Sequence, residues 1–201
     1  IKNECDWLKA LNVDFDGVIC DVGCSTGEFL IVSNWAGKKY GIEVNACAQK
    51  LAEKNGIDFS RNILNSENYF DVIVMRGVVQ HLDQPYYYIK KSFEALRPGG
   101  YLVILQTPNI GSIYYRLFKQ LPALEVNNTF CLPDFYQLKR ITERFGFELV
   151  DFDSPYWKSP YARPTIDFAK FFARLFTQSP KLSSAFPGNM MNMLFKKVSK
   201  L

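Results

Sequence analysis

Short apolar runs alternate along this chain with segments whose apolar residues recur at helical spacing. Residues 18–20, 70–75 and 101–105 are nearly continuous apolar runs, a pattern typical of strands buried on both faces of a parallel sheet. The segment that begins at Glu28 and residues 46–55 are predicted as helices that follow such strands. Regular alternation of strands and helices predicts an α/β fold, with a doubly wound sheet and helices on both of its faces.

The alternation changes in the last third of the sequence. Residues 147–152 are predicted as a strand, and residues 191–198 as the last strand. The connection between them, residues 153–189, is too long for a hairpin loop, so we expect an insertion there, which is a candidate lid. The 201 residues (1–201) suit one α/β domain with a sizeable core.

A turn that contains two glycines joins the first strand to the first helix. It reads DVGCSTG over residues 21–27, and glycines there let the backbone approach a ligand without an intervening side chain. A second short strand, residues 39–42, ends at Glu43, about twenty residues beyond the turn. An acid at that place can accept hydrogen bonds from both hydroxyls of a ribose. The arrangement predicts a site for a cofactor that contains a nucleoside.

The glycine spacing argues against a dinucleotide cofactor. The fingerprint G-x-G-x-x-G needs glycines at relative positions one, three and six, where this chain has Gly23, Ser25 and Glu28. Glu28 would also place a negative charge at the helix N-terminus that has to hold a pyrophosphate. A dinucleotide-dependent oxidoreductase is therefore the less favoured class of enzyme.

The turn resembles motif I of the class I S-adenosylmethionine-dependent methyltransferases, (D/E)-x-G-x-G-x-G, with Ser25 in place of the middle glycine. The resemblance continues through FDVI at 70–73, HL at 81–82 and LRPGG at 96–100. This order and spacing are far more specific than a single glycine loop. The resemblance implies a Rossmann-like sheet of seven strands, mostly parallel with an antiparallel last strand, and residues 57–59 are the candidate third strand.

The resemblance also assigns positions to a cofactor. It implies S-adenosyl-L-methionine as cofactor and S-adenosyl-L-homocysteine as product, with Glu43 on the ribose. The other implied contacts are Asp21, Gly23, Cys24 and Gly27 under the methionine part, Val44, Asn62 and Ile63 beside the adenine, and Arg76 and Gly77 near the sulfonium. Family members commonly have an acid where this chain has Asn62. Because the chain has one histidine, no metal site is predicted.

His81 is the only histidine of the chain, and it follows the strand at 70–75. Ligands of open α/β sheets bind outside the carboxyl ends of the strands, which places residues 76–82 at the active-site face. Histidine is the side chain whose ordinary pKa lies near neutrality, so His81 is the candidate catalytic base for an acceptor hydroxyl. The alternative interpretation is that His81 braces the next helix.

The acceptor is predicted from a narrower resemblance. Thr107-Pro108-Asn109, and Phe130 with Phe135 before a helix, are similar to methyltransferases of polysaccharide biosynthesis and to quinone-precursor O-methyltransferases. This resemblance implies a small-molecule acceptor, above all a hydroxyl of a sugar or glycoconjugate, including phosphate-bearing nucleotide-sugars and glycolipid precursors. His81 and the loop 109–129 would meet that acceptor.

Residues 127–129 depart from this narrower pattern. They read Asn-Asn-Thr, where many relatives carry a histidine shortly before the position of Phe130. The departure keeps open a second hypothesis, in which the chain is a cofactor-binding regulatory protein that retains the fold without turnover.

Residues 154–201 carry eight basic residues and one acid, Asp167, although the net charge of the whole chain is only +4. The apolar residues of 166–176 recur at helical spacing. Three interpretations compete, namely a helix that covers the sheet with its charges in water, a lid over a phosphate-bearing substrate, and peripheral contact with anionic lipid. No nucleic-acid partner is predicted, because the net charge is modest and the aromatic residues recur like those of a core.

The remaining features concern the cellular compartment. No apolar run approaches the length that crosses a membrane, and residues 1–6 lack the charged-then-apolar layout of a signal peptide. The five cysteines are odd in number and include no C-x-x-C pair, which indicates reduced thiols. We therefore expect a cytoplasmic protein, with peripheral contact at the inner face of the membrane as an alternative.

Overall fold

The computed structural model describes residues 1–121, 124, 128–157, 159–177 and 186–198. Asn127, and parts of the predicted insertion, lie outside the described residues. None of the described helices combines the length and the hydropathy that a membrane crossing needs.

In chain order the elements are α1 (Lys2–Ala10), β1 (Ile19–Val22), α2 (Glu28–Val32), β2 (Lys39–Ile42), α3 (Ala46–Lys54), β3 (Phe70–Arg76), a short 3₁₀ turn (Val79–His81), α4 (Pro85–Ala95), β4 (Leu96–Pro108), α5 (Ile113–Phe118), α6 (Phe135–Arg144), β5 (Phe147–Asp153), α7 (Pro164–Arg174) and β6 (Met190–Lys197).

The strands form one sheet in the order β2-β1-β3-β4-β6-β5. Strands β2, β1, β3 and β4 pair in parallel, whereas β6 inserts antiparallel between β4 and β5. The predicted Rossmann-like α/β fold and its antiparallel last strand are therefore confirmed.

The predicted count of seven strands is wrong by one in the described part of the chain. The candidate third strand, residues 57–59, forms only an isolated parallel bridge between Tyr40 and Asp58. The Asp58 N–H donates to the Lys39 carbonyl at 2.9 Å, and the Gly41 N–H donates to the Asp58 carbonyl at 3.0 Å. The Asp58 carboxylate then accepts the Ser60 N–H at 2.7 Å, which turns the chain away before a longer ladder forms.

Alternate residues of β3 face two layers of helices. Ile73 and Met75 are fully buried in an apolar cluster that includes residues of α4 and α6. Val72 and Val74 are buried in a second cluster that includes residues of α1, α2 and α3. The expected helices on both faces are confirmed. Because both faces are covered, the carboxyl ends of the strands are the open edge at which a ligand can bind.

The connection between β5 and β6 carries α7, which has an apolar cluster of its own. Phe168 and Phe171 on the inner side of α7 pack with Tyr114 of α5 and with Tyr156. Arg174 also turns inward, and its guanidinium donates to the Tyr114 hydroxyl. Helix α7 therefore packs on α5 instead of presenting all its charges to water. The large apolar side chains that it and the residues just after it leave exposed are Ile166, Phe172, Leu175 and Phe176.

Candidate functional site

The turn between β1 and α2 wraps over the carboxyl end of the sheet. Gly23, Ser25 and Gly27 have positive φ values of 74°, 50° and 82°. A Cβ on Gly23 would lie 2.7 Å from the Val78 Cγ2, and one on Gly27 would lie 2.9 Å from the Ile57 Cγ1. Conformation and space therefore both require these glycines, whereas Ser25 adopts the left-handed backbone at a cost of roughly 1 kcal/mol.

Glu43 lies against this turn, as its position after β2 predicts. Its Oε2 accepts the Ser25 N–H at 2.9 Å, and its Oε1 accepts the Asn45 N–H at 2.7 Å. A carboxylate oxygen can accept two hydrogen bonds, so each oxygen keeps capacity for a ribose hydroxyl. The neighbouring Val44 is 97% exposed and offers an apolar surface to an aromatic base.

Asp21 is a buried carboxylate with an incomplete set of partners. It is 2% exposed, and its Oδ1 has no hydrogen-bond partner among the described residues. Burial raises the pKa of Asp21 to about 7, with the Arg76 guanidinium opposing the rise and the Glu43 carboxylate adding to it. A cation stabilises an ionised carboxylate in such surroundings, so Asp21 fits the ammonium group of S-adenosyl-L-methionine.

Gly77 leaves open space at the end of β3. Its φ is 63°, and a Cβ there would meet no atom within 4 Å. Together with the unpartnered Asp21 oxygen and the exposed Val44, this opening fits an extended cofactor along the sheet edge. When bound, S-adenosyl-L-methionine supplies an electrophilic methyl group on its sulfonium.

The affinity for S-adenosyl-L-homocysteine is expected to rise from about pH 6 to about pH 8, because Asp21 titrates at about 7 and only its ionised form attracts an ammonium group. Titration calorimetry over this range measures the effect, and Asp21→Asn should bind more weakly and without the pH dependence.

The free energy of unfolding of the protein without ligand should change with pH in the opposite direction. Because the folded pKa lies above the ordinary value, the native state holds a proton that the unfolded chain has lost, and stability falls as pH rises towards 7. If the affinity of the wild type for S-adenosyl-L-homocysteine stays constant between pH 6 and pH 8, the contact between Asp21 and the ammonium group is contradicted.

Two of the predicted cofactor side chains point into the core. Cys24 is 4% exposed, and burial raises the pKa of its thiol to about 12. Ile63 is fully buried in the apolar cluster of the α4 side. Only the backbone of these two residues is therefore available to a cofactor. The Asn62 side-chain oxygen accepts the Leu64 N–H at 2.9 Å and so orders its own turn.

Arg76 is part of a polar network that joins three distant segments. Its Nε donates to the Glu4 Oε2 at 2.8 Å, and the Gln106 Nε2 donates to the Glu4 Oε1 at 2.7 Å. Glu4 is 4% exposed, and Gln106 has a positive φ of 51°. The Gln106 N–H donates to the Asn192 Oδ1 at 2.9 Å, which holds this strained residue in place.

Sequence reasoning misses Glu4 and Gln106. An acid in the short amphipathic helix α1 has the pattern of a solvated residue, and no motif marks it. Nothing in the composition of β4 shows that Gln106 leaves the extended conformation. The one available signal is that Gln106 directly follows the apolar run 101–105, at the carboxyl edge of the sheet.

A cavity of about 490 Å³ lies beside this network. Arg76, Gln106 and Tyr161 line it, together with residues of α1, α2, β5 and β6. Arg76 and Glu28, which line the cavity, directly neighbour Gly77 and Gly27 in the chain, so the cavity adjoins the candidate cofactor residues. Its volume is within the roughly 300–1,000 Å³ of sites that bind small groups. The cavity can therefore admit an acceptor next to the cofactor.

His81 is exposed and tied to the chain on both sides of its ring. Its Nδ1 contacts the Asn128 carbonyl, which can only accept, so this nitrogen carries the proton. Its Nε2 then accepts from the Gln80 side-chain amide at 3.1 Å. His81 is not among the residues that line the 490 Å³ cavity. The geometry supports the bracing interpretation, and the catalytic role stays a prediction.

His81→Gln is expected to reduce kcat by less than about tenfold, since a general base contributes roughly 10²- to 10⁴-fold and a brace contributes less. Steady-state kinetics with saturating cofactor measure the effect, and the affinity for S-adenosyl-L-homocysteine serves as the control for folding of the site. A loss of 100-fold or more at unchanged affinity would establish His81 as the base.

Comparisons with known proteins extend these observations. A family described as "Methyltransferase domain" matches residues 6–151. Two curated relatives are named tRNA U34 carboxymethyltransferase. The protein of Desulfotalea psychrophila is 27% identical over 168 residues, covering 77% of this chain and 52% of its own length. The protein of Helicobacter acinonychis is 29% identical over 192 residues, covering 84% of this chain and 73% of its own length.

The chain thus spans about half the length of the Desulfotalea relative. Among solved structures, an S-adenosylmethionine-dependent methyltransferase of Thermotoga maritima superposes with a TM-score of 0.65. The likeness covers 96% of this chain and 87% of that protein at 20% sequence identity. At this identity the likeness establishes the fold, and the fold agrees with the sheet order described above.

Proposed function

Because this chain belongs to the methyltransferase domain family, we propose that it transfers a methyl group from S-adenosyl-L-methionine to a uridine of tRNA. Family membership confirms the resemblance to class I S-adenosylmethionine-dependent methyltransferases, and S-adenosyl-L-methionine is the cofactor. The tRNA acceptor is supported by the names of the relatives from Desulfotalea psychrophila and Helicobacter acinonychis.

The predicted partners need correction. Sequence analysis predicts a small-molecule acceptor and no nucleic acid, which is wrong because the relatives are named for tRNA. The prediction depends on the whole-chain charge and on the helical spacing of aromatic residues. Spacing alone does not show which side of a helix faces solvent, and in the structure Phe172 and Phe176 are 58% and 87% exposed. The aromatic residues of α7 are thus not all core residues.

The chemistry asks little of the protein beyond alignment. When bound, S-adenosyl-L-methionine would supply a methyl group on a sulfonium leaving group, and the acceptor would give up a proton in exchange for the methyl group. Asp21 and Glu43 would hold the ammonium group and the ribose of the cofactor. The methyl group would then face the cavity that Arg76 and Gln106 line, from which the acceptor approaches.

The observation that carries the proposal is the adjacency of a cofactor site and a cavity at one sheet edge. The orphaned oxygen of Asp21, which fits a cofactor cation, lies within electrostatic reach of Arg76, and Arg76 lines the cavity. Donor and acceptor would then meet at the end of β3, next to Arg76.

Nucleoside mass spectrometry tests the proposed function. Unmodified tRNA is incubated with the full chain and S-adenosyl-L-methionine and digested to nucleosides, with the Glu43→Ala protein as the control. We expect a uridine derivative that has gained one CH₂ unit and that is absent from the control. If the chain binds S-adenosyl-L-homocysteine but no tRNA nucleoside gains mass, the tRNA acceptor is refuted.

A second candidate function is carboxymethyl transfer, the activity named in the relatives. The observation in its favour is the state of the Arg76 guanidinium. Its Nε donates to Glu4, while its two terminal nitrogens form no hydrogen bond with the residues that the structure describes. A guanidinium with two such nitrogens suits a carboxylate. The same mass spectrum distinguishes the candidates when a carboxymethyl sulfonium donor is supplied, because the product would then gain C₂H₂O₂.

A further inference from the structure

Tyr161 occupies an unusual position at the 490 Å³ cavity. It lines the cavity together with Arg76 and Gln106, yet 72% of the residue is exposed. A side chain with both properties lies at the open rim. The exposed ring is therefore open to a ligand that enters the cavity.

The backbone that carries Tyr161 is held at both ends. The Tyr161 N–H donates to the Ser159 Oγ at 3.2 Å, which closes a tight turn. The Asp167 Oδ2 accepts the Tyr156 hydroxyl and the Arg163 N–H, each at 3.0 Å. Asp167 is 3% exposed in α7. These hydrogen bonds hold the backbone on both sides of Tyr161, so little conformational freedom of the chain is lost when a ligand binds to its exposed ring.

One basic residue shares the cavity with Tyr161, and another follows it closely in the sequence. Lys2 lines the same cavity, and Arg163 is exposed two residues beyond Tyr161. Within the described ranges neither side chain takes part in an ion pair or a side-chain hydrogen bond. Three carboxylates also line the cavity, those of Glu4, Glu28 and Asp153, and the Arg76 guanidinium neutralises that of Glu4, which also accepts a hydrogen bond from the Gln106 amide. The aromatic rim is thus accompanied by cations that are free to meet phosphate.

We propose that Tyr161 is the stacking platform for the target nucleobase of an unpaired RNA loop, with Lys2 and Arg163 contacting the adjoining phosphates. Sequence-tolerant recognition of single strands combines such aromatic platforms with positive charge. A base stacked at the rim lies out of its own strand and inside the cavity that adjoins the cofactor, as modification of a base requires. The inference rests on the proposed tRNA function and names the surface that would serve it.

The test measures binding of an RNA hairpin whose unpaired loop contains uridine, by fluorescence anisotropy with the full chain saturated with S-adenosyl-L-homocysteine. Tyr161→Ala should weaken binding by about 10-fold, within the range for loss of one stacked base, and Tyr161→Phe should restore it. Tyr136→Ala is the matched control, because Tyr136 is 73% exposed on α6 and does not line the cavity. The affinity for S-adenosyl-L-homocysteine should be equal in all four proteins.

Each other outcome overturns the inference in a recognisable way. If the wild type binds the hairpin and Tyr161→Ala binds it equally well, the platform is refuted while the proposed function stands. If the wild type binds S-adenosyl-L-homocysteine but neither hairpin nor tRNA, the proposed function fails as well. Binding to anionic phosphatidylglycerol vesicles that depends on Tyr161, without binding to RNA, would assign the rim to a membrane surface instead.

Discussion

Glu43→Ala is expected to weaken the binding of S-adenosyl-L-homocysteine by about 100-fold. The substitution would remove the proposed acceptors for two ribose hydroxyls. Hydrogen bonds to a charged group contribute roughly 1.5–3 kcal/mol each, and about 1.4 kcal/mol corresponds to tenfold in affinity, so about 100-fold is the lower end of the expected loss. The effect includes a local one, because Glu43 also accepts the Ser25 N–H and so shapes the glycine turn. Titration calorimetry measures the loss.

Glu53→Ala is the matched control for this experiment. Glu53 is an exposed glutamate on α3, and its Oε1 accepts a hydrogen bond from the Gln49 side-chain amide at 3.3 Å. The control should bind like the wild type, and thermal unfolding should show that Glu43→Ala remains folded. Unchanged affinity in Glu43→Ala would show that the ribose lies elsewhere.

Glu4→Ala is expected to lower the free energy of unfolding by about 2 kcal/mol. The substitution leaves the Arg76 guanidinium and the Gln106 amide without their shared partner. Breaking a fully buried pair costs roughly 3–5 kcal/mol, and we expect less here because the Arg76 side chain is 31% exposed and partly solvated. For a chain of this size the midpoint of thermal unfolding should fall by about 4–8 °C.

Asp6→Ala on the same helix provides the comparison for Glu4→Ala. Asp6 is exposed and forms no side-chain hydrogen bond or ion pair with the residues that the structure describes, so its replacement should leave the unfolding midpoint within about 1 °C. Equal midpoints for the two variants would mean that the Glu4 network adds nothing to stability. A fall in Glu4→Ala alone would confirm that α1 is fastened to the active-site edge.

Most of the fold is predictable from the sequence because buried parallel strands leave a continuous apolar signal. β3 is such a strand, and its neighbours β1 and β4 share the signal. The error of one strand has a local cause that the signal does not contain. Asp58 has the right neighbours for a strand, but its carboxylate caps the Ser60 N–H and ends the pairing after a single bridge.

The candidate site is predictable where local geometry fixes it. Glu43 meets Ser25 because parallel neighbouring strands end at the same edge of the sheet. The network of Glu4, Arg76 and Gln106 is different, since it joins residues of α1, β3 and β4 that only tertiary packing brings together. The side chains that line the 490 Å³ cavity also depend on such packing. The acceptor was misassigned because its prediction depended on a narrow resemblance around residues 107–109 and 130–135, which the relatives named for tRNA contradict.

A crystal structure of the full chain with S-adenosyl-L-homocysteine would show whether the cofactor lies next to the cavity. We expect ribose hydroxyls within hydrogen-bond distance of Glu43, the ammonium group on Asp21, and the sulfur facing the cavity that Arg76 and Tyr161 line. A complex whose sulfur faces away from that cavity, or whose ribose does not touch Glu43, would contradict this expectation.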